Sequence, residues 1–137
     1  MLTKLTPELM VEDVNKTVQF YCDTLGFTLI NSVPEEEDSE QYQWASVQSG
    51  NFVVMLQSRK SLVPDMPEFE KIALGGSFFL FIETANVMLW YETIKEKVQI
   101  VQDLHTTNYG TQEFMFKDIN GYILVFAQRK ELPEESI

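Results

Sequence analysis

Few side chains in this sequence could do chemistry, and Glu8 and His105 are the first candidates. Glu8 stands among apolar residues in a segment with strand character, where an unpaired carboxylate is costly to bury. His105 is the only histidine and could exchange a proton near neutral pH. Each also has a plainer interpretation, in which Glu8 faces solvent or pairs with a lysine and His105 lies on an exposed loop.

Met55 and Gln57 lie at the end of a predicted strand and are candidates for ligand contact. The Gln57 amide can both donate and accept a hydrogen bond. Cys22 is the only cysteine, which excludes an internal disulfide. We expect it to be a packed, unreactive thiol because it lies beside an apolar stripe. Tyr109, beside Gly110, is expected on the rim of a loop and is left out of the candidate site.

The first element that must position these groups lies in residues 8–27, ELMVEDVNKTVQFYCDTLGF. Its apolar start predicts a strand, and Asp13 is typical of a helix N-cap because its carboxylate can accept from open N–H groups. A buried stripe at helical spacing follows, formed by Val14, Val18, Tyr21 and Leu25. Gly26 predicts the helix end, since glycine adopts the left-handed conformation at little cost.

A second copy of this pattern begins about 70 residues later, with the apolar run SFFLFI at 77–82. Either Thr84 or Asn86 can cap the helix that follows. The stripe of this helix is formed by Val87, Trp90 or Tyr91, Ile94 and Val98. A repeated unit of this kind indicates two related modules within one chain.

The remaining patterns extend each module to the order βαβββ. The first module comprises strands at 4–11, 27–33, 41–47 and 52–57 and a helix at 13–25. The second comprises strands at 77–83, 98–104, 112–117 and 122–128 and a helix at 86–97. We therefore predict an α+β fold, with two four-stranded sheets each covered by a helix and curled around a cleft. The predicted domain spans 1–130, with module one at about 4–58, a linker at 59–74, module two at about 75–128 and a tail at 131–137.

Strand alternation predicts which side chains face the cleft. If Leu9 faces the first helix, then Glu8 and Met10 face the cleft. In the second module, Phe79 and Phe81 face the cleft under the same parity. The reverse parity stays open there, because SFFLFI is apolar throughout.

Composition excludes several classes of protein. The formal net charge of −11 repels phosphate backbones, so we expect no nucleic-acid partner. No apolar run approaches the ~20 residues that span a bilayer, so we expect no membrane partner. The N-terminal residues lack a basic segment followed by an apolar core, so we expect no signal peptide and a cytoplasmic protein.

Two stretches carry a resemblance to a known family. The stretch VEDVNKTVQFYCDTLGF resembles the opening signature of the vicinal oxygen chelate superfamily, which holds glyoxalase I, extradiol dioxygenases and bleomycin resistance proteins. The ending FMFKDINGYILVFAQ resembles the closing hairpin of that superfamily. The resemblance covers both modules and implies the glyoxalase/bleomycin resistance fold, which hosts many chemistries.

Metal-dependent members of this superfamily place a ligand near the start of each module's first strand and a carboxylate near the end of the closing strand. Counting from Asp13, from Thr84 and from the closing turn, the matching positions are Thr6, Ser77 and Val125. None of the three is a normal ligand for a divalent cation. The resemblance therefore implies a member with no metal and no other cofactor.

The metal-free bleomycin resistance proteins are acidic homodimers that sequester a bulky cationic drug in aromatic-lined clefts. This chain is similar in its acidity, in its missing ligands and in its aromatic strands. The aromatic residues concerned are Trp44, Phe79, Phe81, Phe114 and Phe116. Aromatic faces stack planar ligands and attract cations, although the same residues can equally be core.

The resemblance thus implies a small-molecule binding protein that forms a homodimer. Its candidate ligand-binding residues are Glu8, Met10, Trp44, Met55, Gln57, Phe79, Phe81, His105 and Phe114. One alternative is an enzyme of the same superfamily, either a metal-dependent lyase or dioxygenase or a cofactor-free isomerase using Glu8 or His105. The other is an interaction module whose cleft is filled by its own side chains.

Overall fold

The chain, seen in a computed structural model that describes residues 1–130, divides into two units. The first is Met1–Leu74, and the second begins at Gly75. The predicted tail at 131–137 lies outside the described residues. Within the part of the chain that the structure describes, no helix is long and apolar enough to cross a membrane.

The first unit has the predicted order βαβββ, followed by a short helix. Its elements are β1 (Glu8–Val11), α1 (Val14–Gln19), a π-helical segment (Phe20–Thr24), β2 (Thr28–Pro34), β3 (Tyr42–Ser49), β4 (Phe52–Ser58), α2 (Arg59–Asp65) and a 3₁₀ turn (Pro67–Phe69). The sheet order is β1-β4-β3-β2, with β1 parallel to β4 and the other pairs antiparallel.

Asp13 and Gly26 bound the first helical segment as predicted. The Asp13 carboxylate accepts a hydrogen bond from Lys16 N at 3.1 Å, which satisfies an open donor of the first turn. Gly26 has a φ of 76°, in the left-handed region that favours glycine. The end of the segment is π-helical, a widening of the turn that the periodicity did not predict.

The core of the first unit lies between α1 and one face of the sheet. Its buried side chains include Leu9, Val11, Val14, Tyr21, Leu25, Ala45, Val47, Val54 and Leu56. Tyr21, Phe27 and Phe52 form a chain of edge-to-face rings from the helical segment to β4. This contact identifies the α1 side of the sheet, and the alternating residues of each strand lie on the α1-distal face.

The second unit repeats the same order. Its elements are β5 (Phe79–Glu83), α3 (Val87–Ile94), β6 (Gln99–Thr106), β7 (Thr111–Lys117) and β8 (Ile123–Arg129). The sheet order is β5-β8-β7-β6, with β5 parallel to β8, so it matches the first sheet strand for strand. Asn86 caps α3 by accepting from Leu89 N at 3.1 Å, while Thr84 accepts from Asn86 N.

The core of the second unit is built from aromatic rings. Phe114 stacks on Phe116, and both contact Phe126. Trp90 and Tyr91 of α3 pack against Phe126 and Phe114. These contacts place Phe114, Phe116 and Phe126 on the α3 side of the sheet, and their strand neighbours on the α3-distal face.

β2 is an exposed edge strand. All seven of its residues are exposed, including the apolar Leu29, Ile30 and Val33. Its pairing with β3 is irregular, with register shifts between Leu29 and Asn31 and between Val33 and Pro34.

Two boundaries differ from the prediction for local reasons. β1 begins at Glu8 rather than at residue 4, because Pro7 has no N–H to continue a ladder, and Leu5 is exposed. Residues 59–65 of the predicted linker form a helix, since the Ser58 hydroxyl caps its first turn by accepting from Ser61 N at 3.1 Å.

Candidate functional site

The α1-distal face brings together five of the predicted site residues. The strand register sets Glu8 beside Met55, and Met10 beside Gln57. Trp44 lies on the other side of Gln57 in the same row. Because residues paired across strands share a face, all five stand on the side of the sheet opposite α1. The predicted parity of the first strand is therefore confirmed.

Trp44 and Glu8 form a polar contact on this face. The indole N–H of Trp44 donates to Glu8 Oε1 at 3.4 Å. Glu8 is exposed and Trp44 is half-buried, whereas Met10 is only 4% exposed. A half-buried indole beside a solvent-facing carboxylate can stack on a planar ligand and attract a cation.

The Gln57 amide is held by neighbouring side chains. It donates from Nε2 to Ser61 Oγ at 2.9 Å, and the Ser61 hydroxyl donates to Gln43 Oε1 at 3.0 Å. Ser61 and Gln43 also line a polar cavity of about 200 Å³. The amide oxygen of Gln57 is a hydrogen-bond acceptor.

The α3-distal face of the second unit carries Phe79 and Phe81. Ile82 pairs with Phe126, which contacts α3, so Phe79 and Phe81 lie on the opposite face. They are 57% and 42% exposed on the edge strand of the sheet. Of the two orientations left open for this strand, the structure has the one in which both rings lie on the α3-distal face.

Phe114 occupies a different environment from the other predicted aromatics. It pairs in register with Phe126, and its ring is enclosed by Tyr91, Phe116 and Phe126 with no exposed surface. Phe116 is also fully buried on the α3 side. Both residues therefore pack the core, which was the alternative interpretation given for these aromatics.

His105 lies within β6 and is half-buried rather than on an exposed loop. Its Nδ1 is 2.8 Å from the carbonyl oxygen of Asp103. Because a carbonyl can only accept, this hydrogen bond requires the proton on Nδ1 and leaves Nε2 as the acceptor in the neutral ring. His105 pairs across the strands with Glu113, which puts the two side chains on the same face.

Glu113 is the polar residue that sequence reasoning missed. It is only 3% exposed and lies on the α3-distal face, between His105 and Ala127 in the strand register. Tyr109 donates its hydroxyl to Glu113 Oε1 at 2.8 Å, and Thr111 donates to Oε2 at 2.9 Å. This hydrogen bond raises the pKa of the Tyr109 phenol, because the neighbouring carboxylate favours its protonated form.

The position of Glu113 left one signal in the sequence. Within TQEFMFK, a carboxylate alternates with Met115 and Lys117, opposite the two buried phenylalanines. That alternation indicates a face distinct from the core. It does not reveal the contact with Tyr109, which depends on the turn at Gly110, where φ is 93°.

Cys22 is half-buried beside the first helical stripe. Burial raises the pKa of its thiol, so the reactive thiolate is disfavoured.

A second polar cavity, of about 300 Å³, lies at one end of the second sheet. It is lined by Thr106, Gln112, Gln128, Arg129 and Lys130. The Gln128 side chain is held by α3, since its Oε1 accepts from Val87 N at 3.0 Å. Arg129 is ion-paired with Glu83.

Comparison with known proteins decides the family. Residues 5–126 match the model of the Glyoxalase/Bleomycin resistance protein/Dioxygenase superfamily. The chain belongs to this superfamily. The resemblance drawn from the two sequence signatures is therefore confirmed, and so is the predicted fold class.

Proteins similar to this chain come from several bacteria. An uncharacterized protein of Shewanella frigidimarina is 28% identical over 114 residues, which are 82% of this chain and 83% of that protein. A protein of unknown function from Agrobacterium tumefaciens has a TM-score of 0.76 at 19% identity, covering 93% of this chain and 94% of the other. TnmS3, an antibiotic binding protein of a Streptomyces species, has a TM-score of 0.70 at 20% identity, covering 95% and 98%. At these identities the solved structures show a shared fold.

The donor set does not fit the metal of the metal-dependent members. The residue that caps α3 is Asn86, not Thr84. Counting back seven positions from Asn86 gives Phe79, so the choice of Ser77 as the counterpart of Thr6 was wrong. Val125 is buried within β8, and its aliphatic side chain offers no donor. Within residues 1–130, no group of three His, Cys, Asp or Glu side chains could hold a metal ion.

Proposed function

We propose that this protein binds a small aromatic or cationic molecule, and that Trp44 and Glu8 on the α1-distal face are part of its ligand site. The observation that carries the proposal is their contact, an indole N–H donating to a carboxylate at 3.4 Å on a face not used to pack α1. Met55 supplies an adjustable apolar contact beside Glu8.

The physical properties of the chain favour a cation over an anion at this site. A net charge of −11 raises the local concentration of positively charged solutes around the protein. The face of the Trp44 ring attracts cations, and a planar ligand can stack on it. The exposed rings of Phe79 and Phe81 give the second unit an aromatic surface of the same kind.

The comparisons support this class of function in general terms. TnmS3 is an antibiotic binding protein with the same fold. The identity of the ligand and the homodimer implied by the resemblance remain predictions for this chain.

The proposal predicts that ligand binding changes the fluorescence of Trp44 and leaves that of Trp90 unchanged. The chain has two tryptophans, and Trp90 packs against Phe126 in the core of the second unit. Titration with a bleomycin-type glycopeptide or the planar cation proflavine is therefore expected to change the emission of the Trp90→Phe variant. The same titration of Trp44→Phe, the matched control, is expected to leave the emission unchanged.

A Glu8→Gln variant separates charge from stacking at this site. Removal of the carboxylate is expected to weaken proflavine binding by roughly threefold to tenfold, since a partly solvated charge contributes modestly. If calorimetry detects no binding of either probe to the wild-type protein, or if Trp90 responds and Trp44 does not, the proposed site is wrong.

A further inference from the structure

The α3-distal face holds a buried carboxylate for which residues 1–130 supply no cationic partner. Glu113 is 3% exposed, and its described partners are the hydroxyls of Tyr109 and Thr111. Among residues 1–130, none of the ion pairs involves Glu113. Buried carboxylates in proteins are usually paired with a cation, because neutral donors compensate only part of the lost hydration.

The hydroxyl groups around Glu113 donate their hydrogen bonds toward its carboxylate. Thr111 has one hydroxyl hydrogen, and its bond to Glu113 Oε2 uses it. In the 2.8 Å contact between Thr107 Oγ1 and Thr111 Oγ1, Thr107 is therefore the donor, and its hydroxyl hydrogen is shared with the carbonyl oxygen of Thr111 at 3.2 Å. Thr111 is buried, so the Oε2 side of the carboxylate is fixed by the strand and the turn.

The Oε1 side of Glu113 is covered by a group that can leave. Tyr109 is 65% exposed, and its hydroxyl is the donor to Oε1. It stands in the turn that Gly110 closes, where rotation of one side chain uncovers the oxygen. Displacing Tyr109 breaks a hydrogen bond from a neutral donor to the carboxylate, whereas an incoming ammonium forms a hydrogen bond that also carries the attraction between opposite charges.

The row that contains Glu113 borders an apolar row in which Val125 is buried, Met115 is half-buried and Phe81 is exposed. His105, Glu113, Ala127 and Glu83 are aligned across the four strands. The neighbouring row holds Met115, Val125 and Phe81 on the same face. An aromatic or aliphatic body packed against the half-buried Met115 would bring its polar end to Glu113, with the Tyr109 ring at the edge.

We propose that Glu113 is the anionic anchor of a ligand site on the second unit, and that it receives the protonated nitrogen of an amine or amidine carried on an aromatic body. The incoming N–H donor replaces the Tyr109 hydroxyl on Oε1, and the displaced ring stays beside the ligand as a stacking surface. This inference rests on the proposed ligand-binding function and specifies the charged group that the ligand must carry.

The test compares two tricyclic probes of similar size, the cation proflavine and neutral acridone, by fluorescence anisotropy with the full chain. Glu113→Gln is expected to weaken proflavine binding by roughly tenfold or more, since it removes a charge-assisted hydrogen bond. Acridone binding is expected to stay the same. Tyr109→Phe, which keeps the ring and removes the competing hydroxyl, is expected to tighten proflavine binding by roughly threefold.

The controls separate a local anchor from general effects. Glu96→Gln removes one negative charge from an exposed position of the same unit and is expected to leave proflavine binding unchanged. The double variant Tyr109→Phe/Glu113→Gln is expected to show no tightening, because the carboxylate for which the hydroxyl competes is gone. Thermal unfolding of each variant reports whether the fold is kept.

The outcomes distinguish this inference from the proposed function. If both probes bind equally and Glu113→Gln changes neither, the anchor is wrong and small-molecule binding stands. If neither probe binds the wild-type protein, both ideas are wrong. If the Glu113→Gln variant does not fold, the Tyr109→Phe variant tests the anchor instead. An affinity of Tyr109→Phe for proflavine that is equal to or weaker than that of the wild-type protein would show that Glu113 is not the anchor.

Discussion

The two units share one framework and differ on the face that their helices leave uncovered. Glu8 and Phe81 each stand five positions before the residue that caps the helix, and each pairs with the closing strand of its sheet. Yet Glu8 contacts an indole, whereas Phe81 is a ring that is 42% exposed. Equivalent places in the fold thus carry opposite chemistry.

The comparison shows which part of the repeat is constrained. The helix-facing residues of both units are mostly apolar, because each helix needs an apolar sheet face to pack against. The other face has no such requirement, so one unit can present Trp44 and Glu8 while the other presents Phe79, Phe81 and Glu113. Function is therefore expected to differ between the units.

The largest expected effect tests the difference between the two cores. Phe114→Ala removes a ring that contacts three others, and is expected to lower the free energy of unfolding by about 3–5 kcal/mol. Phe27→Ala, with two ring partners and 6% exposure, is expected to cost less. Urea denaturation followed by circular dichroism measures both, and a larger loss for Phe27→Ala would contradict the comparison.

An intermediate loss of stability is expected when Gly50 of the first unit or Gly75 of the second is replaced by alanine. A Cβ at Gly75 would lie 3.0 Å from the carbonyl oxygen of Gly121, and φ at Gly75 is 101°. At Gly50, φ is 55° and a Cβ would meet nothing within 4 Å. Gly50→Ala is therefore expected to cost about 1 kcal/mol, for the left-handed conformation alone. Gly75→Ala is expected to cost at least about 2 kcal/mol, because a clash with backbone is added.

Denaturation midpoints of the two glycine variants, measured side by side, check this order. Gly110→Ala is a useful second control, since a Cβ there also meets nothing within 4 Å. Equal losses at Gly75 and Gly50 would show that the approach to Gly121 does not constrain the second unit.

The smallest expected effect is a difference in how the stabilisation by the two helix caps, Asp13 and Asn86, depends on pH. Asp13→Ala and Asn86→Ala each remove a side-chain cap and are expected to cost about 1 kcal/mol at neutral pH. Burial raises the pKa of Asp13, but hydrogen bonds from Lys16 N and Gln41 outweigh it and hold the pKa below the ordinary 3.8. A lowered pKa means that the Asp13 contribution is present above pH 3.8 and is lost as the pH falls through the folded-state value.

Stability measured from pH 7 down to pH 3 therefore tests the caps directly. The cost of Asp13→Ala is expected to shrink over this range, while the cost of Asn86→Ala stays constant. Asp13→Asn keeps an efficient cap and is expected to remove the pH dependence. A constant cost for Asp13→Ala would show that its charge is unimportant.

Local signals in the sequence were enough to predict the framework. Asp13, Gly26 and the turn ending at Gly121 act within a few residues of themselves, so their roles can be seen without any tertiary contact. Helical and alternating apolar spacing then gave the two modules and the parity of the first strand.

The candidate site was harder to predict because it depends on contacts between segments. Phe114 and Phe81 look alike in the sequence, and only the strand register puts one in the core and the other on the surface. The choice between Thr84 and Asn86 as cap moved the equivalent of Thr6 from Ser77 to Phe79. The bond from Tyr109 to Glu113 requires a turn geometry that residue types do not specify.

The irregular ladder of β2 has a consequence for solubility. A flat, apolar strand at a sheet margin is a template on which further chains can stack. Here the pairing of β2 with β3 carries two register shifts that make the strand irregular, and Pro34 has no N–H to donate. Leu29, Ile30 and Val33 can therefore face water without offering a continuous surface for fibril growth.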